Sequence, residues 1–163
     1  MRSFFLLFFL IFSIGSIHAE NLKPSKGIIA TSNPYASKAA YEVIKNGGNA
    51  IDASIAVQLV LTLTEPQATG IGGGAFMLYW DAKKSKLFSI DGREKAPSLA
   101  SEDLFLNKDG KNIKFYPDAV VGAKSVGVPG IIRLLEETHK KFGKLEWSEL
   151  FTYAIELSEN GFS

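Results

Sequence analysis

Cysteine is absent from the 163 residues. No disulfide can brace this chain, so its stability must come from packing alone. Histidine is nearly as scarce, with His18 and His139 the two in the sequence. They are far apart and form no zinc-type ligand spacing, so no metal site is expected. An excess of one charge is also missing. Eighteen Lys and Arg stand against 17 Asp and Glu, a formal net charge of +1. That balance excludes an electrostatic grip on nucleic acid, which needs clustered basic residues. Lys83-Lys84 and Lys140-Lys141 read as solvated faces. Internal repeats and low-complexity tracts are lacking too.

What is present is globular in composition, 46% hydrophobic and 21% charged. The length suits one domain or part of a larger one. Residues 1–19 stand apart. Arg2 supplies a positive end, Phe4 to Ile14 is an apolar run broken only by Ser13, and Ser16-Ile17-His18-Ala19 offers a small residue for cleavage. This is the layout of a secretory signal peptide. The run is shorter than the roughly 18–20 apolar residues that span a bilayer, so no membrane anchor is expected after cleavage. Cleavage removes Arg2 and no acid, which leaves a neutral mature chain. The expected product is exported, to the periplasm or outside the cell, with residues 20–26 as an N-terminal tail.

Gly27 to Thr31 is a short apolar run that predicts a strand. Asn33-Pro34 then sets a helix cap with proline in the first turn. Ala36, Ala39, Ala40, Val43 and Ile44 form one helical face, closed by Gly47-Gly48. A second helix is predicted from Asn49 to about Thr64. Its apolar residues lie all round, which predicts burial, and Pro66 stops it. Phe76 to Trp80 reads as a strand buried on both faces, with Leu87 to Ile90 as its hairpin partner. After an irregular stretch over residues 95–121 come two more amphipathic helices. Their stripes are Ile131, Leu135, Thr138 and Phe142, then Trp147, Leu150, Phe151, Ala154 and Leu157. The sum is an α+β fold, helices layered on a mainly antiparallel sheet.

Three motifs invite chemistry. Gly70 to Ala75 fits the letters of the dinucleotide fingerprint, and Asp91 lies about twenty residues on. The order is wrong, because a helix precedes these glycines and a strand follows them. They serve either to aim amides at a ligand or to make a tight turn. Ala123-Lys124-Ser125-Val126-Gly127 resembles a relaxed nucleophile elbow. A serine nucleophile needs a positioned base, and His139, the one histidine left after maturation, reads as a surface residue. A serine hydrolase is therefore rejected. Asp91-Gly92-Arg93-Glu94 is the most informative tetrapeptide. It is either a solvated turn or a place where an arginine fork meets a carboxylate.

Taken in order, these segments resemble the start of the large subunit of γ-glutamyltranspeptidases. The matching stretches are Ala30 to Pro34, Gly47 to Ala53, Glu65-Pro66-Gln67 with Gly70 to Gly74, and Asp91 to Glu94 with Ala96-Pro97. Val126 to Gly130 and Phe142-Gly143 to Phe162 complete the series. Each motif is weak alone, and their joint order over residues 27–163 is specific. The resemblance implies an N-terminal-nucleophile hydrolase fold, an αββα sandwich left incomplete here. It also implies a precursor that cuts itself into large and small subunits. The small subunit's N-terminal threonine attacks the γ-glutamyl amide of glutathione and related compounds. Water, an amino acid or a peptide then accepts the acyl group.

By the same resemblance, Arg93 holds the α-carboxylate of the γ-glutamyl group and Glu94 supports it. The Gly72 to Gly74 loop packs nearby without a chemical role. No catalytic residue, metal or organic cofactor is expected in this chain, because the family's nucleophile and oxyanion stabilisers lie beyond Ser163. As given, the chain is expected to be inactive. Two other readings stay open at this stage: a related acylase acting on cephalosporin-type side chains, and a non-catalytic exported binding module.

Overall fold

Asn33 opens the first helix as its letters predict. Its side-chain oxygen accepts the Tyr35 N–H at 2.9 Å, satisfying one of the donors that a helix start leaves without an intrahelical partner. The computed structural model describes residues 27–163. The predicted signal peptide (1–19) and tail (20–26) lie outside the described residues. Helix α1 (Pro34–Lys45) buries Ala36, Ala39, Ala40 and Val43, while Ile44 at the edge of the stripe is exposed. Gly47, at φ +93°, then reverses the chain.

Helix α2 (Ala50–Thr64) starts on a capping box, with Asn49 and Asp52 each bonding the other's backbone N–H. Ile51, Ala53, Ile55, Ala56 and Val60 are buried, and Val57, Leu59, Leu61 and Leu63 are partly covered. Asp52 is the buried acid of this core. Its carboxylate also accepts the N–H groups of Lys144 at 3.0 Å and Leu145 at 3.3 Å. The Asn49 amide adds a bond to the Phe142 carbonyl at 2.6 Å.

Strands β1 (Ala75–Asp81) and β2 (Lys86–Gly92) form an antiparallel hairpin with Met77 opposite Ile90 and Tyr79 opposite Phe88. Ala75, Met77, Tyr79 and Ile90 face the helical core, where the Tyr79 and Phe88 rings each lie 4.8 Å from Phe142. The expectation that β1 is buried on both faces fails. Phe76, Leu78 and Trp80 are 66%, 72% and 57% exposed, because among the described residues nothing covers that side of the hairpin. The predicted strand at Gly27 to Thr31 is also absent. A strand needs a hydrogen-bonding neighbour, and this segment has none within the described residues, leaving Ile28 91% exposed.

Helix α3 (Ile131–Phe142) buries Ile131, Leu134, Leu135 and Thr138. A 3-10 turn (Trp147–Phe151) leads into α4 (Thr152–Asn160), so the second predicted helix begins tightly wound before relaxing to α geometry. His139 is not the surface residue expected. Its side chain is 16% exposed, bonds the Leu145 carbonyl at 2.9 Å through Nε2, and meets the Trp147 ring edge-on. The loop after α3 folds back onto that helix and traps it. The fold class is α+β as predicted, with the helices packed on one face of the hairpin.

Candidate active site

Strand β2 ends where a side chain no longer fits. A Cβ on Gly92 would stand 2.5 Å from Leu134 of α3. The Asp91 carboxylate then accepts the Arg93 N–H at 2.9 Å and turns the chain away from the sheet. Arg93 Nε donates to Glu94 Oε2 at 3.1 Å, with the two side chains 68% and 33% exposed. That side-on contact occupies Nε and leaves both terminal nitrogens of the guanidinium, which make no ion pair among the described residues. A planar fork with its end free suits a carboxylate.

Two segments close in on Glu94. A Cβ on Gly74 would lie 2.7 Å from Glu94 Oε2, and one on Gly127 would lie 2.8 Å from Glu94 Cβ. Gly130 crosses the end of β2 instead, its Cβ position 2.2 Å from the Gly92 carbonyl oxygen. The Gly73 carbonyl accepts the N–H groups of Gly130 and Ile131 at 3.1 and 3.2 Å, so the glycine loop supplies partners for the start of α3. Lys95 and Val128 exchange backbone hydrogen bonds at 3.2 and 2.8 Å. At Gly73 and Gly74 the geometry shows the packing turn, while Gly72 stands open at the edge of the loop. Helix α2 precedes them and β1 follows, which is the reverse of a dinucleotide fold.

Beside this crossing opens a cleft of about 560 Å³, within the usual size of small-molecule sites. Gly72, Arg93, Glu94, Lys95, Phe105 and Lys124 are among its walls. The structure therefore brings Arg93 and Glu94 to one concavity together with the glycine loop. Ser125 lines it too, but its hydroxyl is bonded to the Val120 and Gly122 carbonyls at 2.8 and 2.9 Å. His139 is committed to Leu145, so no Ser–His pair forms among the described residues. Nor do these residues contain a cluster of three or more His, Asp or Glu able to hold a metal.

Sequence reasoning passed over Lys124, which it met only as a neighbour of the candidate serine. It also passed over Asp52, although Asn49 followed three residues later by an acid is a capping-box signal. The meeting of Gly74 and Gly127 on Glu94 carried no local signal.

The family model described as gamma-glutamyltranspeptidase matches residues 36–163, a span that takes in every segment of this crossing. The chain belongs to the gamma-glutamyltranspeptidase family. It is 43% identical over 158 residues to the glutathione hydrolase proenzyme of Bacillus subtilis strain 168, covering 89% of this chain and 27% of that proenzyme. In structure it resembles the gamma-glutamyltranspeptidase of Helicobacter pylori, with a TM-score of 0.79 at 38% identity over 87% of this chain and 40% of that one. The cephalosporin acylase of Bacillus halodurans is also similar, with a TM-score of 0.70 at 33% identity over 88% of this chain and 27% of the acylase. This gamma-glutamyltranspeptidase-family chain thus spans about a quarter of the length of the curated relative. No helix among the described residues is long and apolar enough to cross a membrane.

Proposed function

We propose that this chain is the donor-anchoring, N-terminal part of an enzyme that hydrolyses or transfers the γ-glutamyl group of glutathione and related compounds. The observation that carries the reading is the Arg93 guanidinium. Its Nε is braced by Glu94, its terminal nitrogens make no ion pair among the described residues, and Arg93 lines a ligand-sized cleft. A carboxylate bound end-on there would fix the amino-acid end of a γ-glutamyl donor and hold its γ-carbonyl at a set distance from a nucleophile.

In this reading the nucleophile is a threonine outside the chain, at the start of a small subunit cut from the same precursor. Its hydroxyl oxygen bonds to the γ-carbonyl carbon, the amide C–N bond breaks, and the hydroxyl proton passes by way of the threonine's α-amino group to the leaving amine. Water or an acceptor amine then attacks the γ-glutamyl ester and restores the threonine. The site on this chain binds and orients, without metal or organic cofactor.

The same proposal extends to organisation. Residues 1–19 act as a signal peptide, 20–26 as a tail and 27–163 as the first part of the catalytic domain, working in the periplasm or outside the cell. The uncovered face of β1 supports an αββα sandwich completed by further strands. The likeness to a cephalosporin acylase favours a second reading, an acylase for other amides with an acidic anchor group.

Kinetics of the full-length protein test the proposal. Arg93→Ala should raise KM for γ-glutamyl donors at least about tenfold, the scale of a lost charge-assisted contact. Arg93→Lys should recover part of that loss, since it restores charge without the fork. An unchanged KM in Arg93→Ala removes the γ-glutamyl assignment, and turnover of cephalosporin-type acyl amides in preference to γ-glutamyl amides selects the second reading.

A further inference from the structure

Three cations and one acid line the cleft: Arg93, Lys95 and Lys124 against Glu94. Glu94 is engaged by Arg93, and neither lysine makes an ion pair among the described residues. A donor held by its α-carboxylate alone leaves that positive excess unmatched. We propose that Lys124 is a second carboxylate-binding point, which biases this cleft toward γ-glutamyl peptides that end in a free carboxylate. The inference rests on the reading of Arg93 as the γ-glutamyl anchor and adds the specificity of the leaving end.

Lys124 differs from an ordinary surface lysine in how it is held. It sits on a 3-10 turn (Ala123–Ser125) that follows Gly122 at φ +106°, a conformation that favours glycine. The Ser125 hydroxyl is hydrogen-bonded to the Val120 and Gly122 carbonyls and braces the same turn. Lys124 Nζ in turn donates to the Leu104 carbonyl at 3.3 Å, and both Leu104 and Lys124 line the cleft. An ammonium has three donors, so one carbonyl leaves two for a ligand. Anchoring also removes part of the rotamer freedom that a free lysine would lose on binding. Lys95 differs in that its backbone, not its side chain, is what the fold uses here.

The chemistry of the ligand follows. A γ-glutamyl peptide with a free C-terminus carries a carboxylate at each end, and the cleft, at about 560 Å³, has the volume for a molecule of that size. Arg93 takes one end by a planar fork and Lys124 the other by a point charge, with the scissile amide between them.

The test compares two donors in the full-length protein, γ-glutamylalanine and γ-glutamylalaninamide, which differ only in the distal charge. Lys124→Met should lower kcat/KM for the free acid about three- to fivefold, the range of an exposed ion pair, and leave the amide within about twofold. Lys124→Arg should keep the preference. Equal losses on both donors, no loss on either, or a Lys124→Arg variant that behaves like Lys124→Met overturns the proposal. Added salt should narrow the acid–amide gap in the unsubstituted protein, a readout that needs no variant to fold, and a salt-independent gap overturns it as well. Arg93→Ala separates the two levels. If that variant raises KM for both donors while Lys124→Met is without selective effect, the specificity inference fails alone. If Arg93→Ala changes neither KM, the γ-glutamyl reading fails with it.

Discussion

The carboxylate of Asp52 accepts the backbone N–H of Lys144, 92 residues further along the chain, at 3.0 Å. With the Leu145 N–H on the same group and the Asn49 amide on the Phe142 carbonyl, this contact pins the C-terminal end of α3 to the start of α2. The other end of α3 starts on the Gly73 carbonyl, and Leu134 fills the space beside Gly92. The helix that backs Arg93 is therefore held at both ends, at one by the glycine loop and at the other by a buried acid. A carboxylate that is fully enclosed while accepting several backbone N–H groups is tolerated because each donor replaces a lost water.

Asp52→Ala should lower the stability of the protein by about 3 kcal/mol, since it takes the acceptor from the backbone N–H groups of Asn49, Lys144 and Leu145 at once. Asp52→Asn should lose less, because one oxygen still accepts. Denaturant midpoints of the two variants check this order, and an unchanged midpoint in Asp52→Ala contradicts the role given to the acid.

Gly74 and Gly72 should respond unequally to alanine. At Gly74 the new methyl would meet Glu94 Oε2 at 2.7 Å and the Gly92 carbonyl at 2.8 Å, whereas at Gly72 nothing lies within 4 Å. Two of the Gly74 neighbours belong to the backbone around Arg93, so Gly74→Ala should raise KM and lower the melting temperature. Gly72→Ala should shift stability by no more than about 0.5 kcal/mol, the usual range for open surface positions. Equal effects at both positions would show that the close crossing does not constrain the site.

Glu94→Gln should raise KM about threefold with little change in kcat, because the Arg93 fork loses a charged brace while its own charge remains. The KM–kcat split is the discriminating readout. A variant that loses kcat and keeps KM would assign Glu94 to the chemical step and not to positioning.

Residues 20–163 produced alone should self-associate. Phe76, Leu78 and Trp80 form a contiguous apolar row on β1, joined by Leu87 opposite Trp80, and such a face on an exposed hairpin invites pairing. Threonine at positions 76, 78 and 80 should shift the isolated chain toward monomer in size-exclusion chromatography. A soluble, cooperatively melting monomer of the unsubstituted chain would contradict the prediction.

The helix starts, the hairpin and the helical stripes were legible because their causes are local. Asn33 before Pro34, Asn49 before Asp52, and apolar residues at helical spacing act within a few positions of each other. The tetrapeptide Asp91 to Glu94 stood out for the same reason, as charge and glycine set directly after an apolar strand. The segment Gly27 to Thr31 looked like a strand because its residues favour one. No strand forms there because pairing requires a partner, which propensity does not report. His139 looked like a surface residue until the loop after α3 closed over it.

What the sequence determined by itself was the helices, the hairpin and, through the order of its motifs, the family. Only the tertiary structure decided which faces stay uncovered, that Glu94 is gripped between Gly74 and Gly127, and that Lys124 shares a cleft with Arg93. Those outcomes join residues about 20 to 50 positions apart. Their distances are set by how α3 and the glycine loop interlock, and no short stretch of chain contains that information.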